Sequence, residues 1–280
     1  MVNFDQLAPR PKPKHLEVAY AEQFKDWSVV DAYRYRPSYP PGLFTFLATL
    51  MRGAPGAILD VGCGTGDIAR FLTSIATSVD AIDFSEPMIT TGRTLPGGDH
   101  PKLRWIEGTV EEAELSPPYA LITAGESIHW MDWEQVFPRF RAMLPDSGYL
   151  ALIDRAAEPN PWDADVLPVI QQFSTNRDYR PYNIIDELVS RGVFIPRGSH
   201  QTVSLLSLWN IQDFVESYHS RNGLSRDRMS RRDAAAFDRA VTAIVAPCAA
   251  DGQLTLHTYA VVTWGTPGTP ESSRAQPAVR

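Results

Sequence analysis

A glycine-rich turn, Ile58-Leu59-Asp60-Val61-Gly62-Cys63-Gly64-Thr65-Gly66-Asp67, and a carboxylate at Asp83, seventeen positions after Gly66, are the residues of this 280-residue chain best spaced to do chemistry. Glycines let a backbone turn tightly and let a ligand approach main-chain atoms with no Cβ in the way. The ordinary dinucleotide fingerprint is G-x-G-x-x-G, with a helix N-terminus facing a pyrophosphate. Here the pattern is G-x-G-x-G, and Asp67 stands where the third fingerprint glycine would fall. A carboxylate at that place opposes a pyrophosphate, whereas a phosphate-free cofactor with sulfonium and ammonium groups tolerates it. Asp60 at the strand end adds to the same argument. Asp83 suits any adenosine ligand, because a carboxylate there can accept both hydroxyls of a ribose.

A second group of candidates lies in Gly125-Glu-Ser-Ile-His-Trp-Met-Asp-Trp133, the loop after the fourth strand. Ligands of open parallel sheets bind beyond the carboxyl ends of the strands, so acceptor chemistry belongs here. His129 titrates near neutrality and is the candidate catalytic residue, able to remove a proton with Glu126 or Asp132 as orienter. The competing reading packs His129 beneath the cofactor with no part in proton transfer. Trp130 and Trp133 suit pocket wall or core, and Tyr218 and His219 share that ambiguity. Cys63 reads as a small turn residue.

These residues need a parallel sheet covered on both faces, and from residue 57 the chain alternates short β-branched runs with segments of helical period. Five strands are expected at Ala57–Val61, Ser78–Asp83, Lys102–Glu107, Tyr119–Ala124 and Tyr149–Asp154, with the first, fourth and fifth central because they are the most continuously apolar. Ile68, Phe71, Leu72 and Ile75 form one helical stripe between the first two. Pro40 and Pro41 suit the first turn of a helix carrying Leu43, Phe44, Leu47, Leu50 and Met51. Pro159, Pro161, Pro168 and Pro181 break up an aromatic-rich insertion whose Trp162, Phe173, Tyr179 and Tyr182 would roof an apolar acceptor pocket. Two late strands, His200–Trp209 and Leu254–Gly265, are separated by about 44 residues that read as two helices, capped by Asn210 and Ser230.

The division expected is an arm at 1–36, a core at 37–158, a cap at 159–199, the last strands with their helices at 200–265 and a tail at 266–280, with the tail and the first dozen residues loosely packed. Two cysteines exclude a disulfide framework and leave too few ligands for a cysteine metal site, so no metal is expected. A net charge of −7 opposes nucleic-acid binding. No apolar run approaches the roughly 18 residues of a membrane span, so no membrane partner and a cytoplasmic location are expected.

The glycine turn resembles motif I of class I methyltransferases, and Ala81-Ile-Asp-Phe-Ser-Glu-Pro-Met88 is similar to their acidic motif. Glu107-Gly-Thr-Val-Glu111 is similar to the third-strand loop that reads adenine, with Thr109 where the family often has Asp. Ala32-Tyr-Arg-Tyr-Arg-Pro-Ser-Tyr-Pro40 resembles the lead-in of small-molecule members, and the likeness spans roughly residues 17 to 155. The resemblance implies a Rossmann-like, doubly wound α/β sheet of seven mostly parallel strands with an antiparallel last strand, plus helical cap and lid insertions. It implies S-adenosyl-L-methionine as cofactor and a small-molecule methyl acceptor. The contacts implied are Tyr20 and Arg36 from the arm, Asp60, Gly62, Cys63, Gly64 and Gly66 from the turn, Asp83, Phe84 and Met88 from the acidic motif, Thr109, Val110 and Glu111 from the adenine loop, and Ala124. Tyr33 is a further arm candidate, and Arg36 would pair with the methionine carboxylate. Ser127-Ile-His-Trp130 and the late helices resemble trans-aconitate methyltransferase-like proteins, which adds carboxylate methylation as a second option. A nicotinamide oxidoreductase and a cofactor-binding protein without methyl transfer are the alternatives.

Overall fold

The computed structural model describes residues 11–51 and 55–268. Short apolar runs make five parallel strands: β1 (Ala57–Val61), β2 (Ser78–Asp83), β3 (Leu103–Glu107), β4 (Leu121–Gly125) and β5 (Tyr149–Ala157). They lie in the order β3-β2-β1-β4-β5, so the three most apolar runs are central, buried on both faces as parallel strands are.

The C-terminal part adds three strands to this edge: β6 (Phe194–Gln201), β7 (Leu205–Asn210) and β8 (Gln253–Pro267). β8 runs antiparallel between β5 and β6, as expected of the last strand. The single strand expected at His200–Trp209 is a correction. β6 and β7 lie end to end along β8 and make an eight-stranded sheet. Thr202 separates them: its N–H donates to the Ala260 carbonyl while its hydroxyl accepts the Ala260 N–H, in place of regular strand pairing. β6 also begins inside the stretch read as cap. The tail expected from residue 266 enters β8 up to Pro267 and Gly268 donates to the Val193 carbonyl, while Lys12, in the first dozen residues expected to be loose, donates to the Met131 carbonyl. The other residues expected to be loose, 1–10 and 269–280, lie outside the described residues.

The described residues form ten α-helices. They are α1 (Val18–Ala21), α2 (Trp27–Ala32), α3 (Gly42–Leu50), α4 (Ala69–Leu72), α5 (Glu86–Thr94), α6 (Trp133–Met143), α7 (Asp163–Phe173), α8 (Ile184–Ser190), α9 (Ile211–His219) and α10 (Arg231–Val245). On one sheet face α3 and α4 bury Leu43, Leu47 and Leu72 against Ile58 and Val79. On the other, Val136, Phe137 and Phe140 of α6 and Leu188 of α8 pack on Leu59, Ile122 and Leu152. The stripe expected to continue through Phe71 and Ile75 is cut short: α4 is one turn, and Phe71 is half exposed beside Phe44.

α9 and α10 start where their caps predict, with the Asn210 and Ser230 side chains each accepting the N–H three residues on. Pro168, read as a breaker, sits inside α7. α7 packs with α9 and α10 around Trp162, Phe214, Tyr218 and Phe237, a separate core at the end of the sheet. No helix among the described residues is long and apolar enough to cross a membrane.

Candidate active site

The carboxyl ends of β1, β2, β4 and β5 open into a cavity of about 540 Å³, within the range of small-molecule sites. Gly62 and Gly64 of the turn adopt φ of +64° and +54°, which residues with a side chain rarely hold. Gly62 has a second reason: a Cβ there would lie 2.5 Å from that of Ser127. Asp83 ties the turn to β2. One oxygen accepts the Gly64 N–H at 2.7 Å and the other the Ser85 N–H at 2.9 Å. Burial raises the Asp83 pKa to about 6 against these peptide donors, and a carboxylate oxygen with two lone pairs can accept a ligand hydroxyl beside each N–H.

Asp60 lies deeper. Its Oδ1 accepts the Thr123 hydroxyl at 2.7 Å, and its buried Oδ2 has no hydrogen-bond partner among the described residues. Burial pushes its pKa up to about 7, the Thr123 bond opposing and Asp83 and Asp67 adding to the rise. Cys63 also lines the wall, and burial raises its thiol well above the ordinary range, so it is no nucleophile.

Arg155, at the end of β5, draws the acidic wall together. It reaches Asp67 at 3.6 Å and Glu126 at 3.8 Å, donates to the Pro37 carbonyl at 2.5 Å and stacks 4.1 Å from the Tyr39 ring. Arg36 meets Glu126 at 3.7 Å, stacks on Tyr33 and donates to the hydroxyl and carbonyl of Ser220 just beyond α9. Glu126 holds φ of 51°, a left-handed conformation uncommon for a residue with a side chain.

Residues 11–36 run across the cavity mouth as a strap. Tyr20 donates to Asp178 at 2.7 Å, Gln23 accepts the Gly223 N–H at 2.7 Å, Asp26 pairs with Arg228 at 2.7 Å, and the Phe24 ring meets Trp130 edge-on. Most of these ties are polar, although Leu16 joins the core below α6 and Val29 and Val30 pack on Met88, and polar edge contacts open more readily than packed ones. Bound S-adenosylhomocysteine is therefore expected to slow amide hydrogen exchange in residues 11–36 and in the 174–183 loop that the strap touches, leaving α7 unchanged. Equal rates with and without ligand would mean a rigid roof.

Of the residues singled out in the sequence, Arg36, Asp60, Gly62, Cys63, Gly64, Asp83, Phe84, Met88, Thr109, Val110, Glu111 and His129 line this one cavity. Three do not. Tyr20 points away to Asp178, Gly66 faces the Trp105 ring, and Ala124 is buried in the core with Gly125 lining the cavity beside it. The aromatic roof is also corrected: Trp162 and Phe173 belong to the helical core, Tyr179 is exposed, and Tyr182 packs against His15 and the α6 side of the sheet. The ceiling is instead Val18, Ala21, Phe24 and Tyr33 of the strap with Arg221 and Asn222. Trp133 is core, and His219 is buried between the Leu224 carbonyl and Asp238.

His129 keeps its place on the wall but loses both expected orienters. Glu126 is held by the two arginines, and Asp132 caps α6 by accepting the Glu134 N–H at 3.0 Å. Burial, then the charges of Lys12, His15 and Arg36, lower the His129 pKa to about 3. The ring is neutral at neutral pH and a weak base.

Residues 58–148 match the family of methyltransferase domains. This stretch of the chain is a methyltransferase domain. A probable S-adenosylmethionine-dependent methyltransferase of Saccharomyces cerevisiae is 25% identical over 176 residues, 61% of this chain and 60% of that protein. A malonyl-[acyl-carrier protein] O-methyltransferase of Halalkalibacterium halodurans is 32% identical over 103 residues, 34% of this chain and 38% of that protein. The chain thus spans about three fifths and two fifths of the length of these two relatives. A candidate type II methyltransferase from Anaeromyxobacter dehalogenans shares the fold, with TM-score 0.59 and 21% identity over 82% of this chain and 97% of that one.

The methyltransferase domain's cofactor is S-adenosyl-L-methionine, and the residues present fit it. The turn leaves room where a Cβ would intrude, Asp83 keeps lone pairs for a ribose, and the unpartnered Asp60 oxygen and the surrounding acids suit a cationic ligand. Tyr39, Arg155, Arg221 and Asn222 complete the wall and went unread in the sequence. Arg155 and Tyr39 left faint traces, a charge ending an apolar strand and an aromatic in the quoted lead-in. Arg221 and Asn222, beyond an amphipathic helix, left none.

Proposed function

We propose that this chain transfers the methyl group of S-adenosyl-L-methionine to a small molecule held under the strap. The observation that carries the reading is the left-handed Gly62–Gly64 turn bridged by the buried Asp83 carboxylate on a cavity wall. When bound, the cofactor supplies an electrophilic methyl carbon on a cationic sulfur. The chain's own residues do the rest by placement. Asp83 orients a ribose, Gly108, Thr109 and Val110 border an adenine, Arg36 faces a carboxylate, and the strap excludes water from the reacting atoms.

S-adenosylhomocysteine is expected to bind clearly and NAD weakly or not at all in calorimetric titration, because Asp67 occupies the place a pyrophosphate turn needs. A tighter nicotinamide cofactor would remove the reading. Asp83→Ala should fold and weaken S-adenosylhomocysteine binding by about 1.5 to 3 kcal/mol, the range for hydrogen bonds to a charged group. Unchanged affinity in the folded variant would place the cofactor elsewhere. Incubation with methyl-labelled cofactor and a metabolite panel, read by mass spectrometry, tests transfer itself.

A further inference from the structure

A second, smaller crevice lies outside the main cavity, between residues 34–38 and β7. Its volume is about 280 Å³, at the lower edge of the range for small-molecule sites. Thr258 of β8 lines it and is 2% exposed, yet its hydroxyl has no hydrogen-bond partner among the described residues. A buried polar group left unpaired costs about 1 to 3 kcal/mol, so a hydroxyl of this kind on a crevice wall calls for a partner. Arg36 is the partition between the two spaces, lining both. Its guanidinium is engaged elsewhere, donating to the hydroxyl and carbonyl of Ser220 and lying 3.7 Å from Glu126, which leaves the crevice to other side chains.

Those side chains carry both signs of charge with capacity to spare. Arg34 donates to Asp31 through Nε and Nη2, and its Nη1 has no partner among the described residues. Asp213, in the first turn of α9, accepts the Asn210 amide on Oδ2 and nothing on Oδ1 among the described residues. Ser207 accepts the Trp209 indole N–H at 2.9 Å, so its own hydroxyl proton is free to be donated. The rest of the wall is apolar, with the Trp209 and Tyr35 rings and Leu208, an unusually open leucine at 57% exposed. A simple acid entering here would meet the Asp213 carboxylate, and a simple amine would meet the Arg34 guanidinium. A molecule carrying both charges satisfies both.

We propose that this crevice binds a small α-amino acid as its zwitterion, independently of the methyl-transfer reading. The carboxylate is held by Arg34 with the hydroxyls of Ser207 and Thr258, the ammonium by Asp213, and an apolar side chain rests on Trp209 and Tyr35. Three hydroxyl or guanidinium donors face one end of such a ligand and one carboxylate the other, the complement of its own charges.

Calorimetric titration at pH 7.5 with L-phenylalanine, hydrocinnamate and phenethylamine tests the charge requirement on one carbon skeleton, in protein already saturated with S-adenosylhomocysteine so that the main cavity is filled. L-Phenylalanine should bind at least about tenfold more tightly than either analogue that lacks one charge. Asp213→Asn should remove about that tenfold advantage over hydrocinnamate, whose own affinity stays the same, and Arg34→Gln should do likewise relative to phenethylamine. Both positions lie off the main cavity, so S-adenosylhomocysteine affinity should not move in either variant. Either analogue matching L-phenylalanine, or no binding of L-phenylalanine at ~10 mM, overturns the proposal. So does L-phenylalanine affinity unchanged in both folded variants, which would put the amino acid somewhere else on the protein.

Discussion

Arg155→Met should destabilise the protein by about 3 kcal/mol at pH 7, toward the low end of the cost of removing one partner from a buried ion pair. The Arg155 side chain is 8% exposed and lies between Asp67 and Glu126, which are 31% and 34% exposed, so solvent screens part of the loss. Methionine fills much of the arginine stem's volume, leaving charge as the main change. Without the guanidinium, Glu126 keeps its left-handed backbone and its charge near Asp67 with only Arg36 to offset it. Pairing the change with Glu126→Gln should recover a measurable part, because the double variant no longer leaves that carboxylate unpaired. Urea denaturation of the four proteins reads the coupling directly. A single variant within about 0.5 kcal/mol of the parent, as for an ordinary surface position, would mean that this network does not hold the wall in place.

The network also marks where the sequence stops being informative. The five parallel strands and the caps of α9 and α10 are local features: a few apolar residues in a run, or an Asn or Ser ahead of a helical stripe, carry their own physics. The same holds for the glycine-turn wall of the cavity, because Gly62, Gly64 and Asp83 sit at strand ends that the sheet brings together. Thr202 shows the opposite case. Its hydroxyl takes the Ala260 N–H, a partner 58 residues away, and splits an apparently continuous strand in two. The acceptor side joins Lys12 to Met131, Arg36 to Ser220 and Arg155 to Pro37, contacts spanning 119, 184 and 118 positions. No periodicity encodes such pairs. Trp162 and Phe173 misled for a related reason: a loose aromatic segment and a helix completing a core with α9 and α10 have the same composition, and only the partner faces distinguish them.

Asp60→Asn is expected to leave stability nearly unchanged at pH 4 and to raise it by about 2 to 4 kcal/mol at pH 8. In the unfolded chain this carboxyl ionises from its ordinary value of 3.8, whereas burial holds its proton in the fold up to about 7. Between those values the native protein binds a proton that the unfolded chain has lost, so the parent loses stability as pH rises through that window and levels off above it. The width of that window, at about 1.4 kcal/mol for each pH unit, gives the upper figure, and relaxation of the site gives the lower. Asp83, raised to about 6, acts in the same direction, while His129, lowered to about 3, acts in the opposite one. The parent's own pH profile therefore mixes opposing contributions, and the difference between parent and variant isolates Asp60. Asparagine can still accept the Thr123 hydroxyl, which keeps the site's one direct side-chain bond. The same proton links to the ligand. A sulfonium near Asp60 favours its ionised form, so S-adenosylmethionine should bind the parent more tightly as pH rises from 6 to 8, and the variant should show a flatter dependence. Chemical denaturation and calorimetry across that range measure both. A parent-to-variant stability difference that is the same at pH 4 and pH 8 would show that Asp60 is ionised throughout and that the cavity floor is wetter than its burial suggests.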